Sequence, residues 1–271
     1  MTTRPLVPNP RQAELLEAVR ESGALSVEAL AQRFGVTLQT VRRDVNLLAS
    51  AGLLARFHGG ARLPGSTTEN IEYGSRQRLN EEAKQRIARA VAERVPDGCS
   101  LIINIGTTTE AIARELTRRR KGLRVITNNL NVAALLSDNP GFEVIVAGGM
   151  VRARDRGIVG EATVEFIRQF RVDIGLIGIS AIEPDGSLRD FDYREVKVAR
   201  TIIEQSRQVW LAADHSKFNR PAMVELAHLN QIDTLFTDQP PPAPFPALLA
   251  EASVDCVVAG SVLPHPSRGD R

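Results

Sequence analysis

Two unlike folding units are predicted along this chain: an N-terminal module of short helices with a small β wing, and a larger α/β unit built on a largely parallel sheet. Three observations predict them. Between Ser26 and Leu48, apolar residues recur at helical spacing on either side of one glycine. Between Ser100 and Val258, short apolar runs alternate with helical stretches. A tract of turn and small polar residues, Leu63 to Asn70, separates the two. A length of 271 residues agrees with about two domains, and 43% hydrophobic content suffices for substantial cores.

The N-terminal module opens with Arg11 to Arg20, whose Leu15, Leu16 and Val19 share one helical face. Ser26 can cap a second helix that buries Val27, Leu30, Ala31 and Phe34, an i, i+3, i+4, i+7 stripe. Gly35 follows that stripe, where a left-handed backbone ends a helix at little cost. Val36 anchors the turn and Thr37 can cap a third helix, predicted to bury Leu38, Val41, Val45 and Leu48. Its other faces carry Gln39, Thr40, Arg42, Arg43 and Asn46. A helix-turn-helix presents the N-terminal residues of its second helix to base edges. Arginine pairs bidentately with guanine and glutamine with adenine, so these side-chain types suit DNA reading. An arginine pair alone is usually a solvated helix face. Gly52 is predicted to end the helix, and Leu53-Leu54-Ala55-Arg56 and Ala61-Arg62-Leu63 to pair as strands around His58-Gly59-Gly60. A glycine-rich tip lets such a wing approach a phosphate backbone.

Charge is distributed accordingly. Residues 1–65 hold eight Arg and no Lys against five acids, a balance of +3, whereas the remaining residues hold 26 basic and 27 acidic groups, a balance of −1. Nucleic acid is therefore favoured as a partner of the N-terminal part only. Cys99 and Cys256 lack metal-ligand spacing or companion histidines, so neither a metal site nor any cofactor is expected. No apolar run approaches a membrane span and the first residues do not resemble a signal peptide, so a cytoplasmic protein with no membrane partner is expected.

The domains are placed at residues 1–63 for the DNA-binding module, 64–74 for a linker, 75–262 for the α/β unit and 263–271 for a disordered tail. The α/β unit begins with a charged amphipathic helix from Ser75 to Val95. Strands are predicted at Leu101–Ile105, Val125–Thr127, Val144–Ala147, Ile174–Ile179, Val209–Ala213, Thr234–Phe236 and Val254–Val258. Helices are predicted at Thr108–Arg119, Leu130–Ser137, Ala162–Gln169 and Arg194–Ser206. In such sheets ligands bind beyond the carboxyl ends of the strands. The first strand there ends in Gly106-Thr107-Thr108-Thr109, where helix N–H groups and threonine hydroxyls can hold an oxyanion. The second ends in Thr127-Asn128-Asn129 and the third in Gly148-Gly149. Capping and turn formation account equally well for these residues. Neither a Walker loop nor a dinucleotide fingerprint is complete.

A second polar run, Asp190-Phe191-Asp192-Tyr193-Arg194-Glu195-Val196-Lys197, precedes a long helix. Asp192 and Glu195 there can form a capping box. Alternatively Asp192 or Glu195 accepts hydroxyls and Lys197 faces phosphate. In Asp214-His215-Ser216-Lys217-Phe218 the adjacent Asp, His and Ser cannot line up as a catalytic triad, which leaves Lys217 as a cation beside the pocket.

These residues carry a family resemblance. Leu25-Ser26-Val27-Glu28-Ala29-Leu30-Ala31, Phe34-Gly35-Val36-Thr37, Thr40-Val41-Arg42-Arg43-Asp44 and Arg56-Phe57-His58-Gly59-Gly60-Ala61 resemble the DeoR family of bacterial repressors. So do Gly106-Thr107-Thr108-Thr109, Ala147-Gly148-Gly149, Asp192-Tyr193-Arg194-Glu195-Val196-Lys197 and Asp214-His215-Ser216-Lys217-Phe218. Asn219 stands where that family commonly has glycine, and Val45 where it has leucine. The resemblance implies a winged helix-turn-helix joined to an α/β effector domain similar to ribose-5-phosphate isomerase. It implies a repressor released from double-stranded operator DNA by a small phosphorylated sugar or polyol, glycerol 3-phosphate foremost, and acting as a homodimer or homotetramer. DNA contacts are then expected from Thr37, Gln39, Thr40, Arg42, Arg43, Arg56 and His58. Effector contacts are expected from Gly106, Thr107, Thr108, Thr109, Thr127, Asn128, Asp192, Glu195, Lys197 and Lys217. The competing expectation is a sugar-phosphate isomerase with Glu195 as base and Lys197 stabilising charge.

Overall fold

The computed structural model describes residues 8–22, 24–51, 53–57, 59–62, 70 and 73–260. Gly52, His58, most of the expected linker and the expected tail lie outside the described residues.

The N-terminal module runs α1 (Pro10–Ser22), β1 (Ala24–Ser26), α2 (Val27–Phe34), α3 (Leu38–Ser50), β2 (Ala55–Phe57) and β3 (Gly60–Arg62). Ser26 Oγ accepts the Ala29 N–H at 3.0 Å and Thr37 Oγ1 the Thr40 N–H at 3.2 Å, so both predicted caps form. Gly35 is left-handed at φ 62°, ψ 31°, closing α2 onto the carbonyls of Ala31 and Gln32. Leu15, Val19, Leu30, Val41, Val45 and Leu48 fill one core. The three strands order β1-β3-β2, and Arg56 pairs opposite Ala61 in the antiparallel wing.

Two features of α3 depart from expectation. Leu38 is 41% exposed rather than buried, because it lies at the first turn, beside the helix entrance. Asp44 takes a buried place instead. Its carboxylate accepts Arg11 Nε at 2.8 Å and Gln12 Nε2 at 2.9 Å, tying α3 to α1. Burial alone would raise its pKa, but the hydrogen bonds from Arg11 and Gln12 and the arginine charges hold it below the usual carboxylate range.

The α/β domain begins with α4 (Tyr73–Arg78) and α5 (Glu81–Arg94), not one continuous helix. Asn80 sits between them in the left-handed region at φ 54°, and its Nδ2 donates to Asp214 Oδ1 at 2.9 Å. Local charge and apolar spacing cannot reveal that break, which is stabilised by a side chain distant in sequence. Then follow β4 (Ser100–Ile103), α6 (Thr107–Arg119), β5 (Arg124–Thr127), α7 (Leu130–Ser137), β6 (Glu143–Val146), β7 (Met150–Arg152), β8 (Gly157–Val159) and α8 (Glu161–Ile167). The chain continues as β9 (Val172–Gly178), β10 (Ala181–Ile182), β11 (Ser187–Asp190), α9 (Tyr193–Glu204), β12 (Ser206–Ala212), β13 (Val224–His228), β14 (Thr234–Thr237), α10 (Phe245–Glu251) and β15 (Asp255–Val258).

The seven predicted strands form one parallel sheet in the order β15-β14-β12-β9-β4-β5-β6. Alternation along β4 feeds two cores. Leu101 and Ile103 pack with Ile87, Ile112, Leu116 and Val132 of α5, α6 and α7. Ile102 packs into the opposite cluster, with Ile167, Ile202 and Leu249 of α8, α9 and α10. A smaller antiparallel sheet, β10-β11-β13, and the β7–β8 hairpin were not anticipated. Asn219 is left-handed at φ 55°, which explains why asparagine can stand for glycine there.

The sheet order contains the key topological fact. From β4 the chain moves outward through β5 and β6, then returns to β9 on the other side of β4 and proceeds outward through β12, β14 and β15. The direction reverses between β4 and β9, and a crevice opens where their following loops part.

Candidate functional site

On the N-terminal module, α3 turns Val41, Asp44, Val45 and Leu48 inward and leaves Gln39, Arg42, Arg43 and Asn46 exposed. Thr37, Gln39, Thr40 and Arg43 line a groove of about 490 Å³ shared with Asn9, just before α1, and with Arg11 and Gln12 of α1. Arg42 projects from the same exposed helix face, and Arg56 lies exposed on the wing. His58 is outside the described residues. The arrangement is a capped helix with a polar, cationic face beside a short hairpin, the form that enters a major groove.

The second site is a cleft at the topological reversal. Ile105, Gly106, Thr107 and Thr108 line it from the end of β4 and the start of α6, and Gly178, Ile179 and Ser180 from the end of β9. Asp190 at the end of β11, Glu195 in the first turn of α9, Lys217 and Arg76 of α4 complete the wall around about 30 Å³. No side chain caps α6 at Gly106, so its first-turn N–H groups offer a partial positive charge to this cleft.

The charges around the cleft are interlocked. Arg152 donates to Asp155 at 2.9 and 2.6 Å, to Asp192 at 2.9 Å and to Glu195 at 2.6 Å. Burial, reinforced by nearby Asp190 and opposed by Arg152, pushes the Glu195 carboxyl up to about 7. Burial likewise pushes Lys217 down to about 8, against the attraction of Asp214, whose carboxylate lies 3.9 Å away. Lys84 is also lowered to about 8 by burial. Its Nζ donates to the carbonyls of Arg76, Gln77 and Leu79 at the end of α4.

The structure thus brings together Gly106, Thr107, Thr108, Glu195 and Lys217 of the expected effector residues. The others do not line this cleft. Thr109 Oγ1 is fully buried and donates to the carbonyls of Asn104 and Gly106. Thr127 Oγ1 donates to Ile103 at 2.7 Å, and Asn128 Nδ2 to Ile158 at 3.0 Å. Thr127 ends β5 and Asn128 follows it, one strand removed from the reversal. Asp192 caps α9 by accepting the Arg194 N–H at 3.0 Å and pairs with Arg152 and Arg194. Its pKa falls to about 2, because these hydrogen bonds overcome the effect of burial. Lys197 is exposed and paired with Glu161 at 2.7 Å. Residues two apart on a helix do not face each other, so Glu195 points inward while Lys197 points out.

Gly148 and Gly149 also fall outside the cleft. A Cβ at Gly149 would lie 2.1 Å from Thr163 Oγ1, so this glycine serves packing. Ser216 Oγ donates to Asp214 at 2.5 Å while His215 Nδ1 meets Asp238 at 2.8 Å, so these side chains engage different carboxylates. Among the described residues no group of three or more His, Cys, Asp or Glu could hold a metal, and no helix is long and apolar enough to cross a membrane.

Sequence reasoning missed Arg76, Ser180, Asp190 and Arg152 as part of this region. Asp190 lay inside a run already singled out, and Ser180 follows a predicted strand. Arg76 gave no signal, being one of many charges on a polar helix.

Residues 11–67 match the DeoR-like helix-turn-helix domain, and residues 79–239 match the DeoR C-terminal sensor domain. The chain is 50% identical over 232 residues to the glycerol-3-phosphate regulon repressor of Escherichia coli, covering 86% of this chain and 91% of that protein. It is 51% identical over 231 residues to the repressor of the same description from Haemophilus influenzae, covering 85% and 89% respectively. Among solved structures, ribose 5-phosphate isomerase A of Methanocaldococcus jannaschii is similar with a TM-score of 0.39 and 16% identity, over 51% of this chain and 55% of that one.

Proposed function

We propose that this chain, which belongs to the DeoR family of DNA-binding transcriptional repressors, is released from its operator when a small phosphorylated polyol binds the cleft between β4 and β9. Glycerol 3-phosphate is the foremost effector. One observation carries the reading: an uncapped helix start, two cations and two carboxylates converge at the topological reversal of a parallel sheet. The phosphate meets the first-turn N–H groups of α6, Thr107, Thr108 and Lys217. Oxygens of Asp190 and Glu195 accept hydrogen bonds from the polyol hydroxyls. The ligand must bind the DNA-incompetent form more tightly, since equal affinity for both forms would shift nothing. Arg42 and Arg43 hold the operator, and a homodimer or homotetramer engages repeated half-sites.

The protein acts without catalysis in this reading. An isomerase using Glu195 and Lys197 together is disfavoured by the outward pairing of Lys197 with Glu161. The test is a DNA-release titration against a panel of phosphorylated sugars and polyols, with turnover followed in the same mixtures. Glycerol 3-phosphate should release DNA and remain unconsumed. Failure of every phosphorylated compound to release DNA would overturn the effector assignment, and steady consumption of an aldose phosphate would restore the enzyme.

A further inference from the structure

We propose that Arg76 is a direct ligand of the effector's phosphate, and that its transfer from Asp155 to that phosphate displaces α4, the helix through which the cleft reaches the DNA-binding module. The proposal rests on the reading of the cleft as a phosphorylated-polyol site.

Arg76 is a cation with unspent donors. It lines the cleft, its side chain is 15% exposed, and its Nε is buried without a hydrogen-bond partner among the described residues. Its ion pair with Asp155 is long, 3.6 Å from Nη2 to Oδ2. Asp155 does not depend on it, since Arg152 already gives that carboxylate two short hydrogen bonds. A phosphate entering beside Thr107 and Thr108 offers Arg76 several charged acceptors in place of one distant oxygen.

Size gives a second argument. A volume of about 30 Å³ holds two or three water molecules by the usual measure, far less than a polyol phosphate. Enclosing a polyol phosphate there requires one wall to yield. The walls from β4, β9 and α9 are parts of the two large cores. Helix α4 buries none of its own residues. Polar ties hold it instead: Tyr73 OH donates to Glu110 at 2.8 Å, Asn131 Nδ2 donates to Tyr73 OH at 2.9 Å, and Lys84 Nζ gathers its last carbonyls. Left-handed Asn80 marks a hinge behind it. Such a helix is the wall with the least buried apolar surface to lose.

Chain position supplies the third. Only residues 63–72 separate the last wing strand from Tyr73. Within that interval Asn70 already meets the cleft region, accepting from Arg220 at 3.1 Å and donating to Ser180 Oγ at 3.3 Å. Asn70 lies three residues before Tyr73, so a displacement of α4 that strains these two bonds reaches the chain leading to the wing.

The experiment uses the full chain with glycerol 3-phosphate and inorganic phosphate as calorimetric probes, and hydrogen exchange over residues 73–80. In the unaltered protein, saturating glycerol 3-phosphate should accelerate exchange over that segment. Arg76→Gln should weaken binding of both probes by about tenfold or more, as expected for loss of a charge-assisted contact. Wild-type affinity in Arg76→Gln, or exchange over residues 73–80 that is indifferent to ligand, overturns the proposal while leaving the cleft assignment standing. If the unaltered protein binds neither probe, the cleft assignment fails first and takes the proposal with it. Should Arg76→Gln fold poorly, Tyr73→Phe loosens α4 without touching the cleft. It should lower the glycerol 3-phosphate concentration for half-release of DNA by about fivefold or more, because the hydroxyl's bonds to Glu110 and from Asn131 are both lost. An unchanged midpoint overturns the coupling.

Discussion

Replacing Arg42 or Arg43 with alanine tests the output end of the molecule. Helix α3 rises about 1.5 Å per residue and turns about 100°, so Gln39 to Asn46 spans about 10 Å, the height of about three base pairs. On the same wheel Arg43 lies about 40° to one side of Gln39 and Arg42 about 60° to the other, so both arginines address one stretch of groove. Both are exposed, so each replacement should change folding stability by no more than about 0.5 kcal/mol. An arginine bidentate to guanine is worth about 1–3 kcal/mol. Its loss weakens operator binding roughly 5- to 150-fold and relaxes preference at one base pair. An arginine on phosphate has another signature: affinity falls alike for every sequence, and the slope of log affinity against log salt shrinks by about 0.9 per contact. Fluorescence anisotropy with an operator fragment and a scrambled duplex, each at several salt concentrations, separates the two. Each variant should show one signature. Two variants with unaltered affinity and unaltered slope would take α3 out of the interface.

The remaining expectations concern the core of the reading module and the cleft. Asp44→Ala leaves Gln12 Nε2, a nearly buried donor, without its acceptor, which should cost the module about 1–3 kcal/mol, read as faster hydrogen exchange at Val19 and Leu48. Because the folded pKa of Asp44 is lowered, its contribution stands above about pH 4 and is lost as pH falls further; acid-insensitive exchange would contradict this. Thr108→Leu crowds a cleft of only about 30 Å³ and should raise the glycerol 3-phosphate concentration for DNA release by about tenfold or more, with a normal release curve placing the phosphate elsewhere. Effector affinity should fall as pH rises from near 7 to beyond 8, because Glu195 ionises at about 7 and Lys217 loses its proton at about 8 while the phosphate, with a second pKa of about 6, is already dianionic. Calorimetry in Glu195→Gln should lose the lower part of that decline. For folding the sign at Glu195 is the same: its raised pKa gives a contribution that is complete below the unfolded value of about 4.3 and lost as pH rises through about 7.

The two ends of the molecule were legible to different degrees. In the reading module, Ser26, Gly35 and Thr37 act through neighbours three or four residues away, so capping and turn geometry follow from local sequence. The wing and all seven strands of the large sheet were legible for the same reason, since period and turn chemistry are short-range. Asp44 was not, because its partners Arg11 and Gln12 lie on another helix. In the cleft, Thr107 and Thr108 could be anticipated from a strand running straight into a helix. Asn128 and Gly149 bear the same local marks, yet one serves a carbonyl and the other makes room for Thr163. What distinguishes them is strand order.

The family, the capped reading helix with its arginines, and a parallel sheet with donors at its strand ends all follow from the order of residues along the chain. Which of those strand ends meet depends on how the sheet is threaded. The reversal between β4 and β9 draws Thr108, Ser180, Asp190, Glu195, Lys217 and Arg76 into one cleft from five separate stretches of chain, while Lys197, two residues from Glu195, turns to solvent. Spacing along the chain sets helices and strands through interactions a few residues long. A site is set by which of them become neighbours, and that is a property of the buried cores.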